Sequence, residues 1–108
     1  MKIKTILIIL AGLLIGCSDF NTEPVITSLT ADNTTVSPGG TVLLTCTAED
    51  DNDDSLTYNW DCTNGSLVPN GSAATWTAPG SPGTYSISCA VTDGNDGSTM
   101  EIIDITVL

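Results

Sequence analysis

Cysteine and aspartate are the residues of this sequence whose types and spacing could support chemistry. The chain contains four cysteines, Cys17, Cys46, Cys62 and Cys89, and thirteen acidic residues. Thiols can carry a lipid, form disulfide bonds or bind soft metal ions, whereas carboxylates suit hard cations such as Ca²⁺. The densest acidic run, Glu49–Asp54, places five carboxylates in six residues. The thiols and this acidic run are therefore the candidate functional residues.

The charge distribution excludes several functional classes. The two basic side chains, Lys2 and Lys4, lie at the N-terminus, and the chain has no histidine. Nucleic-acid binding needs Lys or Arg against phosphate, so we expect no nucleic-acid partner. A serine or threonine nucleophile would lack a neighbouring base, and 108 residues allow one small domain without an obvious cleft. We therefore predict no catalytic residues and a chain that is not an enzyme.

Residues 1–16 have the features of a secretion signal. A short basic segment precedes an uncharged apolar run, Thr5–Ile15, which is shorter than the roughly 18–20 residues of a membrane-spanning helix. The run ends in Leu14-Ile15-Gly16-Cys17, which resembles the lipobox of bacterial lipoproteins. That resemblance implies cleavage after Gly16 and attachment of a diacylglyceryl group to Cys17. The alternatives are an ordinary cleaved signal with an incidental cysteine and a short N-terminal membrane anchor.

Lipidation of Cys17 would divide the chain into three parts. Residues 1–16 are then the signal peptide, residues 17–23 the lipidated cysteine with a short polar tether, and residues 24–108 the folded domain. In Gram-negative sorting, Asp after the lipidated cysteine tends to retain a lipoprotein in the inner membrane, and this chain has Ser18 there. The resemblance therefore implies a cell-envelope protein. It would lie in the outer membrane of a Gram-negative host, and otherwise on the outer face of the cell membrane.

Alternating apolar residues predict that the folded domain is built from β-strands. In Leu56–Cys62 every second residue is apolar, which places Leu56, Tyr58, Trp60 and Cys62 on one face. We expect this to be the central strand, with Trp60 in the core. Turn residues separate about seven such strands, the pattern of an all-β sandwich. The other strands are predicted at Val25–Thr30, Thr41–Ala48, Ser66–Val68, Ala73–Ala78, Thr84–Thr92 and Thr99–Leu108. Asp32–Thr35 is predicted to be a turn or a break in the first strand.

Two stretches resemble polycystic-kidney-disease (PKD) domains. Tyr58-Asn59-Trp60-Asp61-Cys62 is similar to the Y-x-W-D-F strand of that family, and Gly83–Gly94 is similar to its G-x-Y-x-V-x-L-x-V-x-D strand. Asp54–Tyr58 and Trp76–Pro79 resemble a variant common in bacterial surface proteins. The family usually has G-D-G where this chain has Thr63-Asn64-Gly65. The resemblance implies a seven-stranded, antiparallel, immunoglobulin-like sandwich that serves as a non-catalytic extracellular module.

The resemblance also bears on a disulfide bond, which suits the oxidising compartment that the leader implies. In an immunoglobulin-like sandwich, Cys46 and Cys89 would lie on the second and sixth strands, with Trp60 packed on their bridge. Cys62 and Cys89 would lie on adjacent strands, so their pairing is the alternative. A Cys46–Cys62 bond or no bond at all also remains open. Loop entropy does not decide, because closing either of the first two loops is worth about 4 kcal/mol.

In the same fold, the acidic loop after the second strand and the loop before the last strand lie at one end of the sandwich. Converging carboxylates from two loops are suited to Ca²⁺, so a calcium site is one interpretation of these loops. No other cofactor is predicted. The alternative is a solvated acidic turn. The candidate ligands are Asp50, Asp51, Asp53, Asp54, Asp93 and Asp96.

These features together predict a lipid-anchored envelope protein. It would contact the membrane through Cys17. The sandwich would bind an unidentified protein or glycan, or it would have a structural role at the cell surface. The alternative function is a docking subunit of a larger envelope or secretion assembly.

Overall fold

The structure is a computed structural model that describes residues 23–51 and 55–108. These residues form β-strands connected by turns and loops, and no helix among them is long and apolar enough to cross a membrane. The strands are β1 (Val25–Ala31), β2 (Thr35–Val36), β3 (Thr41–Glu49), β4 (Thr57–Cys62), β5 (Ser66–Asn70), β6 (Ala73–Thr77), β7 (Gly83–Thr92) and β8 (Ser98–Val107).

The strands form two four-stranded sheets, in the orders β1-β3-β6-β5 and β2-β8-β7-β4. The pairings within them are antiparallel, except that β2 runs parallel to β8. The predicted all-β sandwich is therefore confirmed. The expected break in the first strand is also present, because β1 and β2 are two pieces of one stretch that belong to different sheets.

Local turn chemistry produces this break. The Asp32 carboxylate accepts a hydrogen bond of 3.0 Å from the Leu43 N–H, and the Asp32 N–H donates to the Leu43 carbonyl, which ends the β1–β3 ladder. The Asn33 side chain then accepts a hydrogen bond from the Thr35 N–H at 3.1 Å. Asp and Asn favour turns because their short side chains bind nearby backbone groups in this way. The chain consequently leaves the first sheet and joins the second at Thr35.

The core contains two groups of buried side chains between the sheets. Alternation along β3 and β7 supplies most of them, since every second residue of a strand points to the same face. The first group consists of Val42, Leu44, Trp76, Ala78, Ile87, Ile105 and Val107. The second group consists of Cys46, Cys89 and Val91, with Ile26, Ala48, Leu56 and Tyr58 packed against it.

These two groups define the two ends of the sandwich. The second group lies toward the loops at residues 50–56 and 93–97, which we call the loop end. The first group lies toward the turns at residues 37–40, 63–65 and 78–82, which we call the turn end.

The position predicted for the Trp60 strand is wrong. Its face is as expected, because Trp60 packs against both core groups, but β4 lies at the edge of its sheet rather than in the centre. Trp60 is consequently only half-buried, and its indole N–H donates to the Gly71 carbonyl at 3.0 Å. The tryptophan that is fully buried is Trp76, on β6. Alternation predicts which face of a strand a residue occupies, but it does not predict the order of strands in a sheet. β4 is an edge strand because β5, which follows it in the chain, pairs with β6 in the other sheet.

Candidate functional site

Cys46 and Cys89 face each other across the interior of the sandwich. They lie on β3 and β7, one in each sheet, and are 1% and 0% exposed. Their thiols are hydrogen-bonded to each other. Both are free thiols in the structure, as is Cys62. The structure therefore brings together the two cysteines that the sequence favoured as a pair.

The surroundings of this thiol pair keep it protonated. Burial, with smaller contributions from the hydrogen bond and the charge of Cys46, raises the pKa of Cys89 to about 12. Burial also raises the pKa of Cys46, an effect that the Cys89 hydrogen bond opposes and the Glu101 charge reinforces. Burial raises the pKa of Tyr58 as well, with contributions from both cysteines. Since the thiolate is the reactive form of cysteine, these thiols are unreactive in the folded chain near neutral pH.

Cys62 occupies a different place in the core. It is half-buried and packs against the first core group, with its sulfur 4.0 Å from the Gly65 carbonyl oxygen. In the β4–β7 register Cys62 is opposite Ile87, while Cys89 is opposite Trp60. Such diagonal neighbours have Cβ atoms roughly 7 Å apart, whereas a disulfide needs about 4 Å. The register therefore favours Cys46 over Cys62 as the partner of Cys89.

The loop at residues 93–97 is closed by its first residue. Asp93 is 3% exposed, and its Oδ1 accepts hydrogen bonds from the N–H groups of Asn95 at 2.7 Å and Gly97 at 2.9 Å. The Asp93 N–H also donates to the Gly97 carbonyl at 3.1 Å. Asp96 is exposed and has a φ of 70°, a left-handed conformation that Asp tolerates better than most residues. One of the predicted calcium ligands therefore holds the loop in its turn.

The remaining predicted calcium ligands are placed as follows. Asp50 is half-buried and Asp51 is exposed at the start of the loop after β3. Asp53 and Asp54 lie outside the described residues, and so does the predicted lipidation site, Cys17. Within residues 23–51 and 55–108, no group of three or more His, Cys, Asp or Glu side chains is arranged to hold a metal ion. Calcium binding therefore stays a prediction.

Sequence reasoning missed the contact between Trp76 and the turn after β4. The Trp76 indole N–H donates to the Asn64 carbonyl at 2.8 Å, and its ring lies against Tyr85 with centroids 6.1 Å apart. Gly65 has a φ of 83°, and a Cβ placed there would be 2.7 Å from Trp76 Nε1. The sequence signal for this contact is the Asn64-Gly65 pair, which predicts a turn but does not identify that turn as the partner of a buried indole.

Comparison with known proteins gives a family and a fold. A family model described as "PKD domain" matches residues 21–107. A solved structure of a nucleoside hydrolase-related hypothetical protein from Saccharophagus degradans, described as associated with carbohydrate metabolism, is 21% identical with a TM-score of 0.55. That match covers 81% of this chain and 25% of the other, so the chain spans about a quarter of that protein.

A second solved structure is a chimeric titin Z1Z2 carrying a decorin peptide. It is 15% identical, covers 82% of this chain and 98% of the other, and has a TM-score of 0.46, which is too low to assign a fold. No curated protein matches this chain significantly.

Proposed function

Because the chain belongs to the PKD domain family, we propose that it is a lipid-anchored, non-catalytic module of the cell envelope. The family match over residues 21–107 supports the non-catalytic module, since domains of this type are generally non-catalytic, and the lipobox-like Leu14-Ile15-Gly16-Cys17 supports the anchor. The sandwich would be displayed close to the membrane by a tether ending at Cys17. Its role would be protein or glycan binding, or surface structure.

The outer faces of the two sheets suit polar recognition. The outward positions of β3 include Thr41, Thr45 and Thr47, all of which are exposed. On the other sheet, the exposed positions of β4 are Thr57, Asn59 and Asp61. Hydroxyl, amide and carboxylate groups on a rigid sheet can bind a polar partner without the cost of ordering a loop. These faces support a binding role rather than a purely structural one.

We also propose that Cys46 and Cys89 form a disulfide bond in the mature protein. Two thiols would lose two protons and two electrons to an oxidising protein or small-molecule disulfide, through thiol–disulfide exchange. Because burial keeps both thiols protonated in the folded chain, the bond would form before the sandwich closes around them. The adjacency of the two sulfurs across the sandwich supports this pairing.

The anchor is tested by metabolic labelling. Bacteria that express the chain are grown in medium containing a clickable fatty-acid analogue, and the purified protein is assayed for label. We expect label on the wild type and on a Cys62→Ser variant, which controls for cysteine loss, but none on Cys17→Ala. Unlabelled wild type, or label that persists in Cys17→Ala, would contradict the proposed anchor.

A further inference from the structure

The register of the strands places the N-terminal residues at the loop end of the sandwich. Val25, at the start of β1, is opposite Glu49, at the end of β3. In the other sheet Thr92 is opposite both Thr57 and Ser98. The start of β4, the end of β7 and the start of β8 therefore lie at a single end of that sheet. The two sheets share this end because Ile26, Ala48, Leu56 and Val91 belong to the same core group. The chain therefore enters the domain beside the loops at residues 50–56 and 93–97.

The segments of the sequence that adjoin this end carry most of the charge. Nine of the thirteen acidic residues lie in segments 19–23, 49–55 and 93–97, which contain two, five and two of them respectively. The turns at the opposite end, residues 37–40, 63–65 and 78–82, contain no charged residue. The C-terminal residue Leu108 follows Val107, which is opposite Gly83 at the turn end. The sandwich consequently has a strongly acidic end beside the start of β1 and a less charged end beside the end of β8, where Asp32, Asp61 and Asp104 lie on or next to the strands and the turns carry no charge.

We propose that the domain stands with its acidic loop end toward the lipid surface and its less charged turn end facing away. This orientation rests on the proposed anchoring at Cys17. The seven residues from Cys17 to Glu23 reach at most about 20 Å when extended, whereas the ten residues of β8 span roughly 30 Å. The tether is thus too short to turn the sandwich over.

The acidic end also determines how the domain meets the lipid. Like charges repel within about one Debye length, roughly 8 Å at physiological ionic strength. An anionic lipid surface therefore holds the loop end away and extends the tether, while salt or a zwitterionic surface lets it approach. In either case the turn end and the outer sheet faces remain accessible to a partner.

The orientation is tested with a pair of isosteric variants, Ser98→Cys at the loop end and Ser81→Cys at the turn end. Both serines are exposed, and each variant carries Cys62→Ser so that a maleimide dye labels one site. The lipidated proteins are reconstituted in phosphatidylcholine vesicles containing a lipid with a nitroxide on its headgroup. We expect several-fold stronger quenching of the dye at position 98 than at position 81. Equal quenching, or stronger quenching at position 81, would overturn the proposal.

Lipid charge provides a second readout on the same samples. Replacing part of the phosphatidylcholine with phosphatidylglycerol at low salt should reduce the quenching at position 98, and added NaCl should restore it. Quenching at position 98 that does not respond to phosphatidylglycerol would overturn the electrostatic part of the proposal.

A third arm separates the orientation from the anchor itself. In this arm a hexahistidine tag replaces residues 17–22, so that the tether keeps its length, and the protein is bound to vesicles of nickel-chelating lipid. If fatty-acid labelling fails, the proposed anchor is wrong, while this arm still measures which end faces the lipid. The same difference between positions 98 and 81 is expected, and its absence contradicts the orientation for any N-terminal attachment.

Discussion

The indole N–H of Trp76 donates a hydrogen bond of 2.8 Å to the backbone carbonyl of Asn64. Trp76 lies on β6, and Asn64 lies in the turn that connects β4 to β5 across the two sheets. Because Trp76 is 0% exposed, its N–H would otherwise be buried without a partner, which costs about 1–3 kcal/mol. The turn therefore allows this polar atom to be buried in the core.

Gly65 makes this contact possible, so we predict that Gly65→Ala destabilises the domain. Its φ of 83° strains any residue with a Cβ, and the added atom would crowd the Trp76 Nε1 and the Thr77 carbonyl. We expect urea unfolding to show a loss of about 2 kcal/mol or more. Gly80→Ala is the matched control, because a Cβ added at Gly80 would have no atom within 4 Å and its φ is unstrained. Equal stability of the two variants would contradict the role of Gly65.

The fold was predictable from the sequence because its signals are local. Alternation in β3 and β7 identified the buried faces, and the Pro, Gly and Asn turns identified the strand ends. The place of β4 was not predictable, because strand order depends on contacts distant in sequence. The burial of Trp76 could not be predicted from the sequence for a related reason. Its strand contains small alanines and threonines rather than a strong apolar alternation, so its burial depends on neighbours from other strands.

The candidate site was predictable in its residue types but not in its pairing. Three cysteines on inward faces allow several disulfides, and the sequence contains no information on register. The structure discriminates because Cys46 and Cys89 belong to one core group, whereas Cys62 packs against the other. The closing of the 93–97 loop by Asp93 was likewise not foreseen, because a carboxylate that binds its own loop has the same sequence signature as a calcium ligand.

The proposed disulfide predicts a specific pattern of thiol reactivity. Protein purified without reductant and unfolded in urea should alkylate at Cys62 and not at Cys46 or Cys89, while reduced protein should alkylate at all three. Peptide mass spectrometry of the digest should show a Cys46–Cys89 crosslink. Reduction should lower the free energy of unfolding by up to about 4 kcal/mol. A crosslink that includes Cys62, or three free thiols in protein from the cell envelope, would contradict the pairing.

The reduced protein should lose stability in alkaline solution. In the unfolded chain Cys89 loses its proton near its ordinary pKa of 9.0. In the folded chain its pKa is about 12, so the thiol stays protonated up to that pH. Unfolding between these pH values therefore releases a proton, so stability is complete below pH 9 and falls as pH rises toward 12. The pKa of Cys46 is raised in the same direction.

We expect the free energy of unfolding of the reduced protein to fall by roughly 1 kcal/mol per pH unit in this range through Cys89, and Cys46 contributes in the same direction. The oxidised protein is the control. It retains only the Tyr58 contribution, whose pKa is also raised, and should therefore decline less steeply. Identical slopes for the two forms, measured by urea unfolding at a series of pH values, would contradict a buried thiol pair.

The calcium prediction is tested by thermal unfolding with millimolar CaCl₂ and with EDTA. Calcium at ten times its dissociation constant adds about 1.4 kcal/mol, which raises the Tm of a domain of this size by roughly 5–10 °C. Asp93→Asn keeps an Oδ1 that can accept from the Asn95 and Gly97 N–H groups while removing the charge, so it should weaken the calcium effect. A Tm that is the same in CaCl₂ and EDTA would exclude the calcium site.

The central claim is that this PKD domain is attached to a membrane through Cys17, and intact mass spectrometry of the protein extracted from membranes tests it most directly. The predicted result is a mature chain that begins at Cys17 and carries a diacylglyceryl group on that residue, with the mass increase removed in Cys17→Ala. A mature chain that begins at another residue, or one in which Cys17 is unmodified, would contradict the account.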